Sequence, residues 1–256
     1  MVGRPLLRYA RVGSTNSLAK EHARAGDAEG LVILAEEQTA GRGRQGRGWA
    51  APPGSGLLLS LLLRPAWLSP GDAFALMMLA GAALCEAVEQ VVPLRAGLKW
   101  PNDMLLPARP GAQAPTQKAA GILSELELAD GRIAWVVIGM GVNVNWTPAG
   151  MVDGRDLAQV ATSLAAAAGQ PVDRAALLRA LLERLDGRYA ALRRGRREEL
   201  FTAWRDRLAM LGQIVRVRLP GAELSGVAEG VDLSGALLLR DAGGVLHTIL
   251  AGDVGI

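Results

Sequence analysis

Residues Gln38 to Trp49 (QTAGRGRQGRGW) bring together three arginines, four glycines and a tryptophan, with no acidic side chain among them. Glycines at 41, 43, 46 and 48 let the backbone approach a ligand closely, and the guanidiniums of Arg42, Arg44 and Arg47 are planar forks suited to phosphate oxygens. The chemistry this suggests is the binding of a phosphorylated small molecule. Gly41-x-Gly43-x-x-Gly46 also fits a dinucleotide fingerprint, but that motif must open a helix. Here it runs into Trp49-Ala50-Ala51-Pro52-Pro53-Gly54-Ser55-Gly56, which cannot begin one. A disordered arginine/glycine segment that binds nucleic acid is usually longer, and this one lies between apolar, strand-like runs. A plain solvated loop would not need glycine alternating with arginine.

Four further clusters offer polar groups. Ser14-Thr15-Asn16 precedes a short helical pattern that Gly26 would end, so these residues either cap the helix or face a ligand. In Leu98-Lys99-Trp100-Pro101-Asn102-Asp103 a strand-like lead-in is stopped by proline, which leaves an amide and a carboxylate at a strand end; the same composition makes an ordinary turn. Lys118 follows a Pro/Ala/Gly-rich stretch, 107–117, that reads as a mobile surface loop. Gly139-x-Gly141-x-Asn143 lies in a strand pattern, where glycine marks either close approach of a ligand or backbone, or strand relief. Cys85 sits inside an apolar helix and reads as a small core residue, and His22 and His247 have no motif around them.

The elements that must position these groups follow from periodicity. Runs 31–36 and 56–63 are strands that hold the Arg/Gly loop between them. Ser69-Pro70-Gly71-Asp72 starts a buried helix over 73–92. Strands 120–127 and 132–139 join across Asp130-Gly131 as a hairpin. Asp173 caps a helix with leucines spaced by three and four, and a second helix covers 198–210. After Gly212 the period changes to two, and four short strands suggest a small β-barrel. The domains expected are 1–211 and 212–256.

Half of the 256 residues are apolar, enough for a substantial core, and a net charge of +3 from spread-out arginines is only a mild preference for anionic ligands. One cysteine and two histidines exclude a disulfide framework and a Cys/His zinc cluster. With no secretory or transmembrane segment read from the sequence, a cytoplasmic protein is expected.

Taken together and in order, Ser14-Thr15-Asn16, Gln38 with Gly41-Arg42-Gly43-Arg44-Gln45-Gly46-Arg47 and Trp49, Lys99-Trp100-Pro101-Asn102-Asp103, Lys118-Ala119-Ala120-Gly121-Ile122-Leu123 and Gly139-x-Gly141-x-Asn143 resemble the biotin protein ligases. The resemblance runs from about Tyr9 to the C-terminus. It implies an α/β (α+β) catalytic domain of the class II aminoacyl-tRNA-synthetase-like kind, a mixed sheet flanked by helices, followed by an SH3-like β-barrel. No helix-turn-helix domain is expected, so the type implied is monofunctional, with no sequence-specific DNA and no membrane as partners.

The reaction implied is ATP- and Mg2+-dependent activation of biotin to biotinyl-5′-AMP, then transfer to a lysine of a biotin carboxyl carrier protein, a subunit or domain of acetyl-CoA carboxylase. The resemblance assigns Ser14, Thr15, Asn16, Gln38, Arg42, Gly43, Arg44, Lys118 and Gly121 to biotin, and Arg47, Trp49, Lys99, Asn102 and Asn143 to the nucleotide. It makes Lys118, Arg44 and Asp103 catalytic, with Asp103 also a Mg2+ ligand. Two departures from the family pattern are Gln45, where another basic residue is common, and a long loop between Asp103 and Lys118. A lipoate or octanoate attachment enzyme is the near rival, and a DNA-binding regulator the distant one. Monomer and homodimer both stay open.

Overall fold

The computed structural model describes residues 2–112, 114–152 and 155–255. Its body is a seven-stranded mixed sheet. In chain order the strands are β1 (Leu6–Val12), β2 (Val32–Gln38), β3 (Gly56–Leu63), β4 (Gly97–Lys99), β5 (Asp103–Pro107), β6 (Pro115–Ala129) and β7 (Arg132–Asn143). They are ordered β1-β2-β3-β7-β6-β5-β4 across the sheet. Only β1 and β2 run parallel; every other pair is antiparallel. Helices lie on both faces: α1 (Thr15–Arg24) against β2, β3 and β7, and α2 (Phe74–Val91) against β4, β5 and β6 on the opposite side.

Strand alternation explains the two layers. In β3, Leu57, Leu59, Leu61 and Leu63 join Ile138, Met140 and Val142 of β7 and Ile122 of β6 in the large core beneath α2. The other parity puts Ile33, Leu62 and Val137 with Ala19 and Ala23 in a small core under α1. Because β3 is covered on both faces it reads as an almost unbroken apolar run, and each fully buried leucine contributes about 1.5–3 kcal/mol. The length and apolarity of α2 have the same origin, since it packs between the sheet and two later helices.

After β7 come the paired β8 (Met151–Val152) and β9 (Arg155–Asp156), the short helices α3 (Leu157–Val160) and α4 (Leu164–Ala168), and the long α5 (Arg174–Arg193) and α6 (Arg197–Arg205). Asp173 caps α5 by accepting from the amides of Ala175 and Ala176. The chain ends in an antiparallel sheet of β10 (Ile214–Leu219), β11 (Ala222–Val231), β12 (Leu237–Asp241), β13 (Leu246–Ile249) and β14 (Asp253–Gly255), ordered β13-β12-β11-β10-β14. Val215, Val217, Ala228, Leu237, Leu239, Ile249 and Val254 form its buried side.

β5, β8, β9, α3, α4 and β14 are not expected from the sequence, and three further differences bear on the main sheet. β1 is an additional strand, half exposed and carrying Arg8 and Arg11, and it exists through its parallel pairing with β2. The surface loop expected over 107–117 is shortened from both ends, because β5 runs through Pro107 and β6 starts at Pro115; Gln113 of that loop lies outside the described residues. The second helix ends at Arg205 rather than near Met210. Leu98 donates its amide to the Arg207 carbonyl and accepts from the Ala209 amide, so the chain leaves the helix to run beside β4.

Candidate active site

One lateral row of the sheet runs through Lys99, Asp103, Gly121, Gly141 and Leu58. A second row, two residues along, runs through Leu123, Gly139 and Ser60. Both lie on the α1 face. By strict alternation Lys118 would point away from Gly121. However, Met104 pairs with Ala120 and Leu105 with Lys118, so Ala119 is an extra, bulged residue that turns Lys118 onto the Gly121 face. Its Nζ lies 3.4 Å from where a Cβ on Gly121 would be.

There Lys118 meets Asp103 at 2.6 Å, on Oδ1, while Lys99 takes Oδ2 at 3.3 Å. Burial by itself would raise the Asp103 carboxyl, but the ammoniums of Lys118 and Lys99 outweigh it and hold the group below the usual carboxylate range. Asn102 donates to the Ile122 carbonyl at 2.9 Å and accepts from Arg44 at 3.2 Å. The Thr162 amide donates to the Lys118 carbonyl at 2.9 Å, and Asn143, buried, donates to the Thr162 carbonyl at 3.0 Å. Asn143 therefore braces the segment beside Lys118.

The start of α1 builds a second polar group. Ser14 is the N-cap, in long contact with the Ser17 amide at 3.5 Å. Thr15 donates to Gln38 Oε1 twice, from its amide at 2.7 Å and from its hydroxyl at 3.0 Å. Asn16 gives its amide hydrogens to the Leu123 carbonyl at 3.3 Å and to Glu125 at 2.9 Å, and accepts from Ser60 at 2.5 Å. Glu125 is ion-paired with Lys20 at 2.6 Å. Burial would raise its carboxyl, but Lys20 and Asn16 hold it below the usual range. The capping and ligand readings of this triplet thus divide by residue: Ser14 caps, and both hydrogens of the Asn16 amide are used within the protein.

The Arg/Gly loop is a tight hairpin. Arg42 bridges to Gly48, the Gly43 amide donates to the Arg47 carbonyl at 2.7 Å, and the Trp49 amide to the Gly41 carbonyl at 2.9 Å. Gln45 takes a left-handed turn conformation at φ 54°. Arg42 donates to Ser17 Oγ at 2.8 Å. Arg44 reaches Asn102, the Gly252 carbonyl at 3.1 Å and Asp253 at 3.3 Å, and Arg47 pairs with the other Asp253 oxygen. Burial pulls the Arg44 guanidinium down while Asp253 and then Asp103 support its charge.

The Trp49 indole lies across Gly121 and Gly141, with Lys118 Nζ 5.5 Å from its ring centroid. Its buried Nε1 has no hydrogen-bond partner among the described residues. A Cβ on Gly141 would collide with this ring, which is the close approach that the strand glycines imply.

Sequence reasoning missed Ser60, Glu125 and Asp253. Ser60 had a signal, as the single polar residue in GLLLSLLL. Asp253 had none, being 209 positions from Arg44. The expectation that Asp103 ligates Mg2+ does not fit this donor set. Both carboxylate oxygens face ammoniums, and a divalent cation there would sit against two like charges.

Strand glycines 121 and 141 covered by Trp49, the basic hairpin that leads into it and an antiparallel C-terminal sheet accompany a match of residues 9–143 to the Biotin/lipoate A/B protein ligase family. The Biotin protein ligase C terminal domain matches residues 210–255. A biotin–[acetyl-CoA-carboxylase] ligase of Mycobacterium tuberculosis is 38% identical over 251 residues, 96% of this chain and 86% of that protein. The bifunctional ligase/repressor BirA of Bacillus subtilis is 32% identical, over 96% of this chain and 72% of its own length. The biotin protein ligase of Aquifex aeolicus, solved in complex with biotin and ATP, superposes with a TM-score of 0.78 at 26% identity, covering 98% of this chain and 97% of that one. The chain belongs to the biotin protein ligase family and is a ligase.

Proposed function

We propose that this chain condenses biotin with ATP to biotinyl-5′-AMP and pyrophosphate, then passes the biotinyl group to a lysine of a biotin carboxyl carrier protein. In the first step a biotin carboxylate oxygen attacks the α-phosphorus and the bond to pyrophosphate breaks. Two anions must meet, so fixed cations are the main requirement. Lys118, held by Asp103, neutralises charge at the carboxylate and reacting phosphorus, and Arg44 and Arg47 serve the phosphates. In the second step the carrier amine attacks the acyl carbon, the C–O bond to AMP breaks, and the amine loses a proton. Asp103 orients that amine.

The ring of biotin is assigned to Thr15 and Gln38 within a frame of Ser14, Asn16 and Gly121, with Arg42 and Gly43 at its mouth. Trp49, Lys99, Asn102 and Asn143 serve the nucleotide side. Mg2+ bound to ATP would supply charge compensation as part of that substrate. Closure of the 41–48 hairpin keeps water from the mixed anhydride. We place the domain boundary at 211/212 and the protein in the cytoplasm, with ATP and the carrier.

The observation that carries this reading is the convergence of Lys99 and Lys118 on Asp103, with Arg44 adjacent through Asn102, beside the paired Gly121 and Gly141. The test is pyrophosphate release with ATP and Mg2+ and either biotin or lipoate. Release that depends on biotin supports it. Release without biotin, or none with it, overturns it.

A further inference from the structure

We propose that Ser60 is a positioning residue for the biotin ring subsite, which deepens the ligase reading and rests on it. Ser60 is fully buried in the middle of β3, on the face that carries Gly139 and Gly141. The strand around it is otherwise glycine and leucine, and an alanine or valine would serve its packing. What the hydroxyl adds is one hydrogen within reach of two oxygens at the start of α1, Asn16 Oδ1 at 2.5 Å and Thr15 Oγ1 at 2.8 Å, and it serves one of them at a time.

The consequence passes along the network. While the Ser60 hydrogen is on Thr15 Oγ1, Thr15 directs its own hydrogen to Gln38 Oε1, the same atom that takes the Thr15 amide hydrogen. The Thr15 backbone N–H fixes the amide flip of Gln38, because the nitrogen end cannot face it, and the Thr15 hydroxyl hydrogen adds a second tie to Oε1. Nε2 is thereby turned toward the base of the Arg/Gly hairpin, 3.0 Å from where a Cβ on Gly41 would be. Gln38 then presents N–H donors to the planar carbonyl of a cyclic urea. When the hydrogen turns to Asn16 Oδ1 instead, Ser60 and Glu125 grip opposite ends of the Asn16 amide, which holds the first turn of α1 against Gly139. Ser60 touches no substrate in this scheme; it fixes the groups that do. Without the Ser60 hydroxyl, the hydrogen that Thr15 Oγ1 and Asn16 Oδ1 share is gone, and both oxygens lose this partner.

The experiment compares Ser60→Ala and Ser60→Cys with the wild-type chain by pyrophosphate release, varying biotin and MgATP separately, with circular dichroism as the folding control. We expect KM for biotin to rise about tenfold in Ser60→Ala, equivalent to about 1.4 kcal/mol. Ser60→Cys, which keeps the shape and a weak donor, falls between, and KM for ATP stays within about twofold. A purely structural serine would raise both KM values together or neither. Either of those results, or a rise for biotin below about threefold, overturns the proposal. If the alanine variant does not fold, the cysteine variant is judged by whether its rise is confined to biotin. A wild-type chain without biotin-dependent release would fail the ligase reading itself, which separates the two failures.

Discussion

At the residue scale, the ion pair of Asp103 with Lys118 makes testable statements about pH and, on the proposed mechanism, about rate. The Asp103 carboxyl is held below its ordinary value of 3.8, so the pair stabilises the fold above that pH, and the stabilisation is lost as pH falls through the lowered folded value. Asp103→Asn should therefore flatten the acid side of a plot of Tm against pH below about 4, where the wild type drops. An unchanged acid limb would contradict this. Lys118→Ala should slow adenylate formation by about a hundredfold or more, as expected for loss of a charge aimed at the reacting centre. Arg44→Ala should instead form the adenylate and release it faster, read by filtration of labelled biotinyl-AMP. Wild-type formation in Lys118→Ala would remove that residue from the mechanism. Trp49 covers Gly121 and Gly141, with no partner for its indole nitrogen among the described residues, and biotin seated against Gly121 as proposed would displace it. A biotin-induced change in tryptophan fluorescence that disappears in Trp49→Phe is the expected sign.

At the scale of elements, the site depends on which parity of β6 and β7 faces α1. Gly139→Ala would drive a Cβ into Asn16 Oδ1, and should cost about 1–3 kcal/mol of stability in a urea melt as well as weaken biotin binding. Stability and affinity equal to wild type would mean that α1 is not seated where the structure has it. The alternation behind this was legible beforehand. In Gly139-Met140-Gly141-Val142-Asn143 the apolar residues take one face and the glycines the other, and Asp130-Gly131 marked the hairpin that pairs β7 with β6. The Arg/Gly loop between two strands and the strands after Gly212 were legible for the same reason, that period and turn chemistry are local. The bulge at Ala119 was not. Whether Lys118 shares a face with Gly121 is decided by its pairing with Leu105, a one-residue matter of register set by a neighbouring strand. β1 and the early end of α6 were hidden similarly, because each is fixed by a partner strand rather than by its own pattern.

Over the whole molecule, the C-terminal sheet reaches into the site through one carboxylate. Asp253 stands at the start of β14, which is held by pairing with β10, and it binds Arg44 and Arg47 with separate oxygens. Two guanidiniums that suit a phosphate are thus occupied by a protein anion, and the hairpin is tied to the second sheet. Arg44 is the more buried of the two, so removing the carboxylate leaves a partly desolvated cation with Asn102 and the Gly252 carbonyl as acceptors and Asp103 as its charge support. Asp253→Ala should release the hairpin, and trypsin should cut after Arg44 and Arg47 at least about threefold faster than in the wild type, since cleavage follows the open population. Biotin with MgATP should narrow the difference, because the adenylate phosphate returns an anion to the same arginines. Equal cleavage in the absence of ligand would show that the loop holds its place without Asp253. Faster cleavage that ligand does not suppress would show that these arginines do not take the phosphate.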